Sequence, residues 1–181
     1  MKINHKGTKT LKTERLTLKA VEEKDYKRLY ENLLGDKEAC KTCEWKYWET
    51  YEEFQKEQTI IKDKNYYNWI IYLNDKTPIG MIGVHTKDDK NYNCIIGYQI
   101  HPKYQNNGYC TEALKEVAHF LMKEVGYYRL VCEYADNNIA SKRVMEKAGF
   151  IYEGTNRKSV YKNNRFQDIH VYSLIKEDLN I

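Results

Sequence analysis

The sequence predicts a single mixed α/β domain over residues 1–181, a mostly antiparallel sheet with helices on both faces. Three observations carry that prediction. Apolar runs of strand length alternate with short polar turns between Tyr66 and Ile100, the pattern of an antiparallel meander. A strand, a helix pattern and a second strand follow from Cys94 to Tyr134, the order of a parallel crossover unit. No internal repeat, Pro-rich linker or low-complexity tract divides the chain.

Taken in order, residues 16–20 (LTLKA) alternate and predict a strand. Tyr26, Leu29, Tyr30 and Leu33 have helical spacing, so a helix is expected over about 23–34, ended by Gly35-Asp36. Residues 36–49 read as a connection holding Cys40, Cys43, Trp45, Tyr47 and Trp48. Thr50 and Glu53 stand at capping-box spacing before a helix over 51–61, with Phe54, Gln58 and Ile61 along one side. Residues 66–73 (YYNWIIYL) form an aromatic and β-branched strand. Asn74-Asp75-Lys76 turns into a strand over 79–85, and residues 87–91 turn into the strand over 94–100.

The stretch HPKYQNNGYC then breaks the periodicity with a Pro and a Gly. From Thr111 a helix is expected, with Leu114, Val117, Ala118, Leu121, Met122 and Val125 on one apolar stripe. Glu112, Lys115, Glu116, Lys123 and Glu124 take the wet face, and Gly126 ends the helix. After a strand over 129–134, Asn138 is a good N-cap with Ser141 three residues on. Ala140, Val144 and Ala148 are expected on one helix face, and Gly149 is the C′ residue. Strands over 150–161 and 166–175 flank an Asn163-Asn164 turn.

Composition sets the outer limits. Hydrophobic residues at 41% and charged residues at 31% are ordinary for a globular chain. A net charge of +4, with 26 acids scattered among 30 Lys and Arg, argues against nucleic acid as partner. No apolar run reaches membrane-spanning length, and MKINHKGTKTLKTERL has no apolar h-region, so the cytoplasm is the expected compartment. Five cysteines, an odd number in such a chain, read as reduced thiols. Cys40 and Cys43 make one C-x-x-C with no second pair at metal spacing, so no metal is expected. The pair is read as following a helix, unlike a thioredoxin motif.

Strand, polar glycine loop and helix start together make an anion site. The first turn of a helix leaves N–H groups unpaired and carries about half a positive charge. A glycine loop feeding into it adds further donors. The loop is neither a Walker A nor a G-x-G-x-x-G motif.

Gln105-Asn106-Asn107-Gly108-Tyr109-Cys110, followed by Thr111-Glu112-Ala113, resembles the Q/R-x-x-G-x-G/A pyrophosphate loop of the GNAT acetyltransferase superfamily. Cys110 stands where Gly or Ala is usual, and Asn106 and Asn107 where Lys or Arg is frequent. TERLTLKAVEEKDYKRLYENL resembles the opening of the RimJ/RimL-like branch, and N-x-x-S…K-x-G-F, here Asn138, Ser141 and Lys147 to Phe150, resembles a later segment of that branch. The resemblance runs from Thr13 to about Leu179. It implies a GNAT fold with splayed fourth and fifth strands, and acetyl transfer from acetyl-CoA to a primary amine by direct attack.

The resemblance also implies roles. Residues Gln105, Asn106, Asn107, Gly108, Tyr109, Cys110 and Thr111 would hold the pyrophosphate through backbone N–H groups. The pantetheine arm would pair along the strand edge at Gln99 and Ile100, whose N–H groups would polarise the thioester. Asn138 and Ser141 would face the cofactor arm. Lys103, Lys142 and Arg143 could attract the phosphates at longer range. Ser141 is the candidate acid for the departing thiolate, because Met145 occupies the position where many relatives have Tyr. Glu133 is the first candidate base, with Glu44, Glu49 and Asp168 as rivals. Trp45 and Trp48 read as packing residues before acceptor-pocket residues. The expected partners are acetyl-CoA and an amine, either a protein N-terminus or a small amine such as a polyamine or aminoglycoside, with a second copy of the chain as a candidate and neither nucleic acid nor membrane. A CoA-binding sensor without turnover is the rival class.

Overall fold

The computed structural model describes residues 2–43, 46–57, 63–136, 138–162 and 164–179. Eight strands form one sheet in the order β1-β2-β3-β4-β5-β6-β8-β7. They are β1 (Leu11–Lys12), β2 (Leu16–Lys19), β3 (Asn68–Leu73), β4 (Pro78–Asp88), β5 (Asn93–Ile100), β6 (Arg129–Ala135), β7 (Ile151–Lys162) and β8 (Arg165–Ile175). The helices are α1 (Tyr26–Leu29), continued as a wider π segment over Tyr30–Leu34, α2 (Lys37–Cys43), α3 (Tyr51–Glu57), α4 (Tyr109–Phe120), continued over Leu121–Val125, and α5 (Ile139–Ala148). The chain forms two compact units, one of Met1–Asn4, Val84–Gly97 and Val117–Ile181, the other of His5–Gly83 and Tyr98–Glu116.

In the second of these, β1 to β4 pair antiparallel, with Leu11 opposite Leu18, Leu16 opposite Leu73 and Asn68 opposite Gly83. Ile70 and Tyr72 of β3 join Tyr26, Leu29, Leu33 and Phe54 in one apolar cluster, so α1 and α3 pack on that face. Trp69 and Ile71, which alternate with them, are also buried. A strand covered on both faces reads as a continuous apolar run, which is how 66–73 stands in the sequence. Phe54 meets the rings of Tyr26 and Trp48 edge-on at 5.7 and 5.3 Å, which makes Trp48 a packing residue as expected. Trp45 and Glu44 lie outside the described residues, as do Gln58 and Ile61.

Residues 37–43 were expected as connection but form α2. Asp36 caps it, its Oδ1 accepting from the Ala39 N–H at 2.9 Å. Cys40 is only 1% exposed, its Sγ directed at the carbonyls of Leu33 and Leu34. Cys40 and Cys43 follow the first helix, as expected, but lie in a second helix of their own, and Cys40 acts as a small apolar residue.

In the other unit, β5 and β6 run parallel from Asn93↔Arg129 to Ile96↔Cys132. The register closes there, although β5 continues to Ile100 and β6 to Ala135. The register thus ends within the two strands that the resemblance implies to be splayed. β6 keeps its antiparallel register with β8 as far as Ala135↔Ile169, and β7 closes the sheet outside β8. The stripe on α4 and its continuation is buried as expected, Leu114, Val117, Leu121, Met122 and Val125 among the most buried residues of the chain. Gly126 and Gly149 end their helices in the left-handed conformation, at φ 102° and 94°. The inner face of α5 is turned by about one residue from expectation. Met145 and Ala148 are buried, whereas Ala140 is exposed and Val144 half-buried, because the Asn138 cap sets the helix phase and Met145 brings the larger apolar area to the core.

Candidate active site

The glycine loop belongs to the unit of His5–Gly83 and Tyr98–Glu116. A short turn over Pro102–Tyr104 leads into it, and the Gln105 side chain donates through Nε2 to the Ile100 carbonyl at 3.0 Å, which fixes the end of β5. Asn107 Nδ2 donates to the carbonyl of Gln105 at 2.9 Å. Asn106 and Gly108 are left-handed, at φ 63° and 79°. Asn tolerates that conformation through its short polar side chain, and Gly without cost. A Cβ at Gly108 would meet the Arg15 guanidinium at 3.4 Å on top of the backbone strain.

Helix α4 begins at Tyr109, two residues before the expected Thr111. Its first internal bond is from the Glu112 N–H to the Gly108 carbonyl at 3.0 Å. Among the described residues, the backbone N–H groups of Asn106, Asn107, Gly108, Tyr109, Cys110 and Thr111 have no recorded acceptor in the protein. The Gln105 N–H differs from its expected role, for it donates to the Pro102 carbonyl at 3.2 Å and closes the preceding turn. Cys110 is half-buried in the first turn, and burial pushes its thiol up, so it stays protonated and serves as a small residue.

Three residues with no expected binding role, Thr13, Arg15 and Glu112, hold this loop. Glu112, expected on the wet face of its helix, accepts through Oε1 from the Thr13 hydroxyl at 2.5 Å and the Arg15 N–H at 3.0 Å, and through Oε2 from Arg15 Nε at 2.7 Å. The Arg15 guanidinium also donates to the Asn107 carbonyl at 3.0 Å and stacks over the Tyr109 ring at 4.7 Å. Burial alone would raise the Glu112 carboxyl, but the Thr13 hydroxyl, the Arg15 N–H and the guanidinium outweigh it and hold the group below the usual range. The only sequence signal was the phrase TERL, whose Thr and Arg lie far along the chain from Glu112.

Glu133, Asn138 and Ser141 belong to the other unit. Asn138 caps α5, its Oδ1 accepting from the Ser141 N–H at 3.1 Å, and Ser141 is half-buried at the third helical position. Glu133 is exposed on β6. Met145 is 1% exposed, an interior residue. Of the rival bases, Asp168 accepts from the Lys158 N–H at 2.9 Å and pairs with its ammonium, so its carboxyl lies below the usual range, which suits a bulge clamp better than a base. Lys142 pairs with Glu146 along α5 at 3.8 Å, and Lys103 lies over the Tyr104 ring. Among the described residues no helix is long and apolar enough to cross a membrane, and no group of three or more His, Cys, Asp or Glu could hold a metal.

A mixed sheet whose β5–β6 register closes at Ile96↔Cys132, with a glycine loop at the start of α4, fits a transferase fold. Residues 15–151 match the model of the acetyltransferase (GNAT) domain, and the chain belongs to that family. It is an N-acetyltransferase, and acetyl-CoA is the acetyl donor that the family uses. It is 29% identical to the uncharacterized N-acetyltransferase YoaA of Bacillus subtilis, over 92% of this chain and 96% of that one. It is 25% identical to the ribosomal-protein-serine acetyltransferase of Escherichia coli, over 93% and 97%. A GNAT-family acetyltransferase of Bacillus anthracis superposes with a TM-score of 0.77 at 27% identity, over 93% of this chain and 99% of the other.

Proposed function

We propose that the chain, as one catalytic domain over residues 1–181, transfers the acetyl group of acetyl-CoA to the α-amine of a protein N-terminus, in the manner of the RimJ/RimL-like branch. The carrying observation is the loop from Asn106 to Thr111, whose backbone donors stand at the start of α4 while Arg15 and Glu112 fix its path. Six N–H groups without an acceptor among the described residues suit a diphosphate, and Gly108 leaves room for its close approach. Under this reading Gln99 and Ile100 pair with the pantetheine arm, Asn138 and Ser141 face it, Ser141 assists the leaving thiolate, and Glu133 serves the amine. The full-length likeness to a ribosomal-protein-serine acetyltransferase favours a protein acceptor over a small amine.

The direct test is thiol release from acetyl-CoA with the purified protein, offered serine- and alanine-initiated peptides, spermidine and an aminoglycoside. Preference for the peptides is expected. Turnover of spermidine or the aminoglycoside alone would replace the protein N-terminus by a small amine. Binding of acetyl-CoA without turnover of any amine would indicate a sensor. The same reading expects a cytoplasmic enzyme, and sedimentation would decide whether it is a homodimer.

A further inference from the structure

Gly97 lies one residue beyond Ile96↔Cys132, the last registered pair of β5 with β6. A Cβ at Gly97 would collide with the imidazole of His85 on β4. The missing side chain is what allows that ring to lie against the β5 backbone, so His85 fills the side-chain space of Gly97. His85 is exposed, and among the described residues its ring has no recorded hydrogen-bond or ion-pair partner.

The register places Glu133 on the same face. Opposed residues in a sheet share a face, and Ile95 is paired with Val131. Two residues further along each strand, Gly97 and Glu133 return to that face by alternation. The other face of these strands is closed, with Cys94, Ile96, Leu130 and Cys132 all buried. An imidazole and a carboxylate, both open to solvent, thus share one face where the register of β5 with β6 ends. By the same alternation the other charged side chains on this face are Lys87 on β4 and Arg129 on β6, the latter bound to Glu153. β5 adds Asn93, Ile95 and Gln99, which do not titrate.

We propose that His85 is the base that deprotonates the acceptor amine, and that the Glu133 carboxylate draws the ammonium toward it. This rests on the acetyl-transfer reading above, and it moves the base from Glu133 to a residue on β4. The proton of R–NH3+ passes to the imidazole, and the neutral amine forms the C–N bond as the thioester C–S bond breaks. The sulfur leaves with the bonding pair and takes up the second amine proton, and the imidazolium returns the first to solvent. An imidazole titrates nearer neutrality than any carboxylate in its ordinary range, as a base working at neutral pH requires.

The test compares wild type, His85→Gln, Glu133→Gln and Gly97→Ala with acetyl-CoA and two acceptors, a serine-initiated peptide and hydroxylamine, which is already neutral at assay pH. His85→Gln is expected to lower kcat/KM about 10²-fold with the peptide and less than about threefold with hydroxylamine. Gly97→Ala, which unseats the ring, should move in the same direction, while the KM for acetyl-CoA in His85→Gln stays within about twofold. Equal losses with both acceptors, or no loss with the peptide, would overturn the proposal. The second readout needs no turnover. The His85 imidazole signal, assigned by its loss in His85→Gln, is followed by NMR at one pH in wild type and Glu133→Gln, and its chemical shift should move when the carboxylate is removed. An unmoved signal would remove Glu133 from the pair whatever the kinetics. A wild-type enzyme that binds acetyl-CoA but acetylates no amine would overturn the transfer reading itself.

Discussion

Arg15 grips Glu112 from 97 residues away, its Nε and backbone N–H each donating to a different oxygen of one carboxylate. The same guanidinium donates to the Asn107 carbonyl, so a single side chain ties β2 to both the glycine loop and the first turn of α4. The loop depends on a tether, because two left-handed residues and a run of exposed backbone would otherwise sample many paths.

Breaking that tether should loosen the site before it unfolds the protein. Arg15→Ala is expected to raise the KM for acetyl-CoA at least fivefold or so, while costing about 1 kcal/mol of stability, since the guanidinium is 45% exposed and partly screened by water. A double-mutant cycle with Glu112→Gln, read in the KM, should show strong coupling. Additive effects would mean that the two residues act separately.

The same carboxylate predicts a pH dependence. Its folded-state titration lies below the unfolded range, so its contribution is fully present above the ordinary glutamate value of about 4.3 and is lost as pH falls through the lower folded value. Urea unfolding of wild type and Glu112→Gln should therefore differ most near pH 7 and converge in more acidic buffer. A constant difference down to about pH 3 would contradict this assignment.

Gly108→Val combines a β-branched residue with a backbone at φ 79° and places its side chain near the Arg15 guanidinium. Acetyl-CoA affinity measured by calorimetry should fall by about tenfold or more, with the far-UV circular dichroism retained. Unchanged affinity would remove the loop from the donor site.

Asn138→Ala removes the cap that Oδ1 provides to the Ser141 N–H and should cost about 1 kcal/mol. A concurrent rise in the KM for acetyl-CoA is expected if the side chain also faces the pantetheine arm. Loss of stability with unaltered kinetics would leave Asn138 as a cap alone.

Ser141→Ala addresses the leaving group. Met145 is buried and cannot donate a proton, so Ser141, half-buried on the same helix, is the acid proposed above. A CoA thiol of pKa roughly 8.5 departs with modest help, so a turnover loss between about threefold and 10²-fold is expected, with acetyl-CoA affinity little changed. Single-turnover rates across pH measure it, and a wild-type rate would return Ser141 to a helix-start role.

The sequence alone determined what is local. The strand runs of β3 to β5, the buried stripe of α4, the Asn138 cap and the closing glycines of α4 and α5 were all legible, because period and capping are set by neighbours within a few residues. The glycine loop was legible for the same reason, since it is a short contiguous pattern before a helix. Tertiary structure decided the rest. Glu112 stood in a wet-face position until β2 brought Thr13 and Arg15 against it. His85 carried no signal, because only the pairing of β4 with β5 sets its ring over Gly97. Helix α2 escaped notice since its one strong signal was Asp36, and the apolar face formed by Cys40 has meaning only inside the cluster with Leu33 and Phe54. Each of these contacts joins residues whose separation in the chain says nothing of their distance in space, and that distance is fixed by which strands hydrogen-bond and which faces must leave water.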